Sequence, residues 1–110
     1  MERLELSNSL PHTTTWVYIG EDGRLTIEWY DYSEEADRWM GGDVAFLLYV
    51  GYAGKQQMWS LLGDTASPPE DRRDDMLLQL LHRRFGSYHE VKSWLTDNNV
   101  PFEAEFDGNA

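Results

Sequence analysis

The chain has no cysteine in its 110 residues, which removes disulfide stapling, zinc–thiolate sites and thiol catalysis together and makes a reducing cytoplasm the simplest home. Positive charge is scarce: nine Lys and Arg against twenty Asp and Glu leave a formal net charge of −11. Such a surface repels DNA, RNA and anionic lipid over about a Debye length, ~8 Å at physiological salt, so direct nucleic-acid or membrane binding is disfavoured. Long apolar runs are also missing. The most apolar stretch, Val44 to Val50, is far too short to span a bilayer, and MERLELSNSL lacks the cationic start and apolar run of a leader. There is no G-x-S-x-G elbow, no phosphate-cradling glycine loop, and no Cys or His pair spaced for nucleophilic work. Catalysis therefore has no positive support, and no cofactor or metal is expected.

What the chain does have is apolar and aromatic content, 41% and 14%, too much for a chain that stays unfolded. The charge must then lie on a folded surface, and the length fits one domain over residues 1–110.

Thr13 to Ile19 is β-branched and aromatic, and Gly20-Glu21-Asp22-Gly23 follows with turn chemistry, which together signal a hairpin. The return strand, Arg24 to Tyr32, alternates: Leu25, Ile27 and Trp29 on one face, Thr26, Glu28, Tyr30 and Tyr32 on the other. Ser33 to Gly42 is a polar excursion in which Ser33 could cap a short helical turn. Asp43 to Tyr52 is apolar on both faces and reads as the central strand. Lys55 to Leu62 sets Met58, Leu61 and Leu62 at helical spacing, with Gly63 as the residue that ends the helix. Ser67-Pro68-Pro69-Glu70 is a capping box with Pro at the first helical position. It opens a helix with Leu77, Leu78, Leu80, Leu81 and Phe85 on its apolar side, which Gly86 stops. A second capping box, Ser87 to Glu90, starts a helix with Val91, Trp94 and Leu95 inward, ending at Asp97-Asn98-Asn99. Pro101 to Phe106 alternates again, Phe102, Ala104 and Phe106 against Glu103 and Glu105, and reads as a returning strand. Leu4 to Leu6 could add a short edge strand. The expected fold is α+β, an antiparallel sheet of about four strands with the helices on one face, in the order ββ-β-α-α-α-β.

The candidate surface lies in Gly20 to Asp43. There Glu21, Asp22, Glu28, Asp31, Glu34, Glu35, Asp37 and Asp43 face only Arg24 and Arg38 in charge, among Trp29, Tyr30, Tyr32 and Trp39. Carboxylates among large rings suit a basic partner: charge steers the encounter, and Trp and Tyr then supply desolvated anchor area. The expected contact residues are Glu28, Tyr30 and Tyr32 on the outward strand face, Asp31, Glu34, Glu35, Asp37 and Trp39 on the loop beyond, and Glu103 and Glu105 from the last strand. The plainer reading is that Trp29 belongs to the core, Tyr30 and Tyr32 pack the sheet edge, and the charges keep the protein soluble.

Other clusters have simpler explanations. His12, His82 and His89 form no helical metal pair. Glu70, Asp71, Asp74 and Asp75 lack the calcium-loop pattern and suit the positive end of a helix dipole. Near the other end, His82, Arg83 and Arg84 complement its negative pole.

From Gly42 onward, GDVAFLLYVGYAGKQQMWSLLG, LLQLLHRRFGSYHEVKSWL and VPFEAEF resemble small bacterial proteins of unassigned function, in which a "GD.EY" strand leads to an "LL..L" helix and a "WL...GIPFEF" close. Here Asn99-Val100-Pro101-Phe102-Glu103 stands where those proteins have GIPFE. In size, acidity and layout the chain is also similar to immunity proteins of bacterial toxin systems and to acidic phage-encoded inhibitors. That similarity implies a non-enzymatic protein that occludes a basic surface of a toxin, nuclease or other nucleic-acid-binding partner. Two rivals stand beside it: a small-ligand or catalytic domain using carboxylates in a sheet cleft, and a homo-oligomer whose Trp and Tyr residues are self-contacts. Monomer and homodimer are both open.

Overall fold

The computed structural model describes residues 3–7, 11–32, 38, 43–63 and 72–108. Ser33, Glu34, Glu35, Asp37, Trp39 and the Ser67–Glu70 capping box lie outside them.

The β-branched and aromatic run forms β2 (Thr13–Ile19), which pairs antiparallel with β3 (Leu25–Asp31). Between them, the Gly23 N–H donates to the Gly20 carbonyl at 3.0 Å and the Gly20 N–H to the Arg24 carbonyl at 2.9 Å. Gly23 sits at φ 82°, a left-handed conformation that costs glycine nothing. β1 (Leu4–Glu5) borders β2, while β4 (Val44–Val50) and β5 (Glu103–Asp107) continue beyond β3. The result is a five-stranded antiparallel sheet in the order β1-β2-β3-β4-β5. The fifth strand beyond the expected four is the short Leu4–Glu5 edge. β3 holds the central place, whereas β4 is interior between β3 and β5; apolar residues on both faces mark a flanked strand and do not identify the middle one.

Three helices among the described residues connect β4 to β5: α1 (Tyr52–Leu62), α2 (Arg73–Arg84) and α3 (Tyr88–Asp97). α1 buries Met58 and packs Leu62 on the core but leaves Leu61 54% exposed. Gly63 caps α1 in an extended conformation, φ −73°, not a left-handed one. Its value is close approach, since a Cβ there would lie 2.5 Å from the Trp59 carbonyl oxygen. α2 ends before Gly86, because Phe85 turns extended and buries its ring edge-on to Trp94, centroids 5.8 Å apart.

The second capping box forms with Ser87 as N-cap, as the sequence predicts, but with its return bond one residue upstream. The Ser87 Oγ accepts from the Glu90 N–H at 3.3 Å, and the Glu90 carboxylate accepts from the Gly86 N–H, one residue upstream of the N-cap. α3 closes with Asn99 at φ 56°; the Val100 N–H reaches the Leu95 carbonyl at 2.9 Å and the Asn99 N–H the Thr96 carbonyl at 3.2 Å. These two hydrogen bonds, with a buried Val100–Leu95 pair, make a Schellman closure. Asn after Gly is the residue that best tolerates its left-handed position.

Strand alternation sorts the sheet into two faces. Val17, Leu25, Ile27, Leu48 and Val50 turn inward and, with Leu6, meet Met58, Leu77, Leu78, Leu81, Phe85, Tyr88, Val91, Leu95 and Val100 in one buried cluster. α2 packs on β1 and β2, α3 on β3 and α1 on β4. The opposite face has no helix over it among the described residues.

Candidate docking surface

Cross-strand register sets the open face in rows. One row runs Tyr18, Thr26, Tyr49, Glu103; the next runs Glu5, Trp16, Glu28, Leu47, Glu105; the third runs Thr14, Tyr30, Ala45, Asp107. Phenols and carboxylates therefore alternate between neighbouring strands, close enough to bond. The Tyr18 hydroxyl donates to Glu28 Oε1 at 2.9 Å, the Tyr30 hydroxyl to Asp43 Oδ2 at 2.6 Å, and the Tyr49 hydroxyl to Glu105 Oε2 at 2.6 Å. Charge-assisted bonds of this kind are short and fix both partners in place.

The phenols respond as donors to a carboxylate should. Burial, then the hydrogen bond and charge of Glu28, push Tyr18 up from 10.0 to about 12. The bond to Glu105, with burial and charge behind it, pushes Tyr49 up to about 12. Asp43 raises Tyr30 in the same sense, its hydrogen bond being the main cause. Among the described residues, Glu28, Asp43 and Glu105 form no ion pair with Lys or Arg.

Cations sit at the margins. Arg3 lies 4.9 Å from the Trp16 ring centre and 5.0 Å from that of Tyr18, at the β1 side. Arg24, at the hairpin end, bonds Asp22 at 2.6 Å and Glu103 at 3.2 Å while its guanidinium lies 4.1 Å over the Tyr49 ring. Asp22, which accepts from both the Arg24 N–H and its side chain, is held below the ordinary carboxylate range. At the other end Trp16, Tyr30, Tyr32 and His12 form a run of rings, with successive centroids 6.4, 6.1 and 6.0 Å apart. His12, at φ 60°, also accepts the Tyr32 N–H through its carbonyl at 3.0 Å.

Of the residues expected from sequence, Glu28, Tyr30, Tyr32, Glu103 and Glu105 come together here. Asp31 does not. It is the last residue of β3, not part of the loop, and its row is Thr13, Asp31, Val44, on the helix side with the buried Thr13 and Val44. Thr26, although on the open face, is 2% exposed because Tyr18 and Tyr49 flank it. Trp29 turns to the helix side, stacked on Phe46 at 5.2 Å and Tyr88 at 5.8 Å. Glu34, Glu35, Asp37 and Trp39 lie outside the described residues.

Trp16, Tyr18 and Tyr49 lie outside the surface expected from sequence, and Asp43, within the candidate segment, is not among its expected contact residues. The alternation in TTTWVYI places Trp16 and Tyr18 on one face and was the available signal for two of them. Asp74, from the helical acidic cluster, pairs with Lys55 at 3.0 Å. Among the described residues no group of three or more His, Cys, Asp or Glu could hold a metal, and no helix is long and apolar enough to cross a membrane.

Comparison with known proteins finds no matching family model, no matching curated protein and no matching solved structure.

Proposed function

We propose that the chain is a non-enzymatic binding protein whose open sheet face docks a basic surface of a protein partner, in the manner of a bacterial or phage inhibitor or immunity protein. The observation that carries this reading is the set of tyrosine–carboxylate bonds, Tyr18–Glu28, Tyr30–Asp43 and Tyr49–Glu105, on a face that no described helix covers. Each bond spends a phenol to fix a carboxylate where a cation can reach it. A partner bearing Lys and Arg, including one that binds nucleic acid, would find negative charge in fixed positions and Trp16, Tyr30 and Tyr32 as anchors.

The same bonds make the three phenols poor proton donors or acceptors near neutrality. A catalytic group works best with a pKa near the operating pH, and these phenols are moved away from neutrality, two of them to about 12.

The test is capture of a basic protein from the host lysate by wild type, by Glu28→Lys/Asp43→Lys on the open face, and by Asp75→Lys on exposed α2. The open-face variant should lose the partner by ten-fold or more and flatten the salt dependence, with the helix variant unchanged. Equal capture by all three removes the proposed surface.

A further inference from the structure

The two edges of the sheet differ. β1 is two residues long, and a short edge offers little ladder to pair with. β5 is five residues long, and all five are exposed. It pairs with β4 on one side, so every second residue turns its N–H and C=O outward, the template by which an extended chain adds to a sheet.

Two side-chain rows flank that edge. On the open face, Glu103, Glu105 and Asp107 follow one another at alternate positions. Arg24 and Tyr49 hold Glu103 and Glu105 from the β4 side, and a carboxylate with one such partner keeps acceptor capacity for another. On the helix side, Phe106 is 49% exposed and rests on Phe46, centroids 5.0 Å apart. Phe46 in turn stacks on Trp29. The edge thus presents an acidic row above and an aromatic ledge below.

That combination selects its occupant. A second copy pairing β5 to β5 would set Glu and Asp opposite Glu and Asp on one face, and like charges directly opposed destabilise a strand pair. A strand with Lys or Arg on that face and apolar side chains on the other satisfies both rows. Resting on the docking function above, we propose that β5 is a strand-addition edge: an extended segment of the basic partner, cationic at every second position and apolar between, pairs along Glu103–Asp107.

The probe is the peptide KVKVKVK, titrated into the labelled protein and followed by backbone amide shifts, beside its isomer KKKKVVV and two forms of KVKVKVK N-methylated on every Lys or on every Val. The alternating peptide should bind at least about ten-fold more tightly than the block isomer. Its shifts should centre on Glu103–Asp107. One N-methylated form should lose about ten-fold or more, because its N–H groups face β5, while the other keeps its affinity. Glu105→Lys/Asp107→Lys should reject KVKVKVK and accept EVEVEVE. Equal binding of both isomers, or of both N-methylated forms, overturns strand addition while leaving charge-driven docking intact. So does failure of every peptide to bind, and the docking function is then judged separately by Glu28→Lys/Asp43→Lys, which leaves β5 untouched. A dimer in solution joined through β5 overturns the choice of occupant.

Discussion

The two faces of the sheet are built from the same strands and held by different forces. On the covered face, Val17, Ile27, Leu48 and Val50 are fully buried against the helices, and burial of apolar area is non-directional and roughly proportional to the area removed from water. On the open face, Trp16, Glu28, Leu47 and Tyr49 are only half-buried, and the contacts are hydrogen bonds and cation–π pairs. Such contacts are directional, screened by water and individually weak. The lesson is a division of labour within single strands: in β4 the even positions Val44, Leu48 and Val50 serve the core, and the odd positions Leu47 and Tyr49 serve the surface chemistry.

The largest expected effect breaks the covered face. Leu48 is fully buried and Leu47 half-buried on the opposite side; Leu48→Ala should cost about 2–5 kcal/mol in denaturant unfolding, and Leu47→Ala less than about 1.5 kcal/mol. Equal costs would erase the distinction. Next comes overpacking where α1 meets the sheet. A Cβ at Gly54 would lie 2.5 Å from Val50 Cγ1 and 2.9 Å from the Pro101 carbonyl oxygen, so Gly54→Ala should destabilise by about 1–3 kcal/mol despite its better helix propensity. Ser87→Ala removes the N-cap of α3, the helix over β3, and should cost about 1 kcal/mol, read as a lower melting temperature.

The smallest effect belongs to the open face and depends on pH. The folded state keeps Tyr18 and Tyr49 protonated past the ordinary 10.0, up to about 12. Their contribution is whole below pH 10 and is lost as pH rises from there through about 12, because the unfolded chain releases those protons first. Tyr18→Phe and Tyr49→Phe should each cost about 0.5 kcal/mol at neutral pH, solvent screening both sites. Unfolding measured from pH 8 to 12 should show a shallower alkaline decline in the double variant.

Much of this division was legible in the chain. Alternation in Leu25–Tyr30 and Phe102–Phe106 sorts both strands correctly, as do Gly23 in the hairpin and Ser87 with Glu90 at the α3 start. These are signals carried by neighbours in sequence. What escaped depends on register between strands. Glu105 is brought to Tyr49, and Asp43 to Tyr30, by antiparallel pairing across long separations. No local pattern encodes those meetings. Asp31 belongs to β3 and not to the loop, although a polar strand end looks like the loop it enters; Thr26 lies on the face its alternation predicts, but its burial comes from tyrosines on other strands. The role of Gly63 rests instead on a local close approach, to Trp59 one turn earlier in α1.

The most direct measurement is hydroxyl-radical footprinting of the protein alone and with its captured basic partner. Tyr32, 47% exposed at the open face, and Met76, 41% exposed on α2, provide reporters of similar accessibility. Docking on the open face predicts protection of Tyr32, Tyr30 and Trp16 with Met76 oxidised as before. Protection of Met76 with the open-face rings unchanged would place the partner on the helices and contradict it.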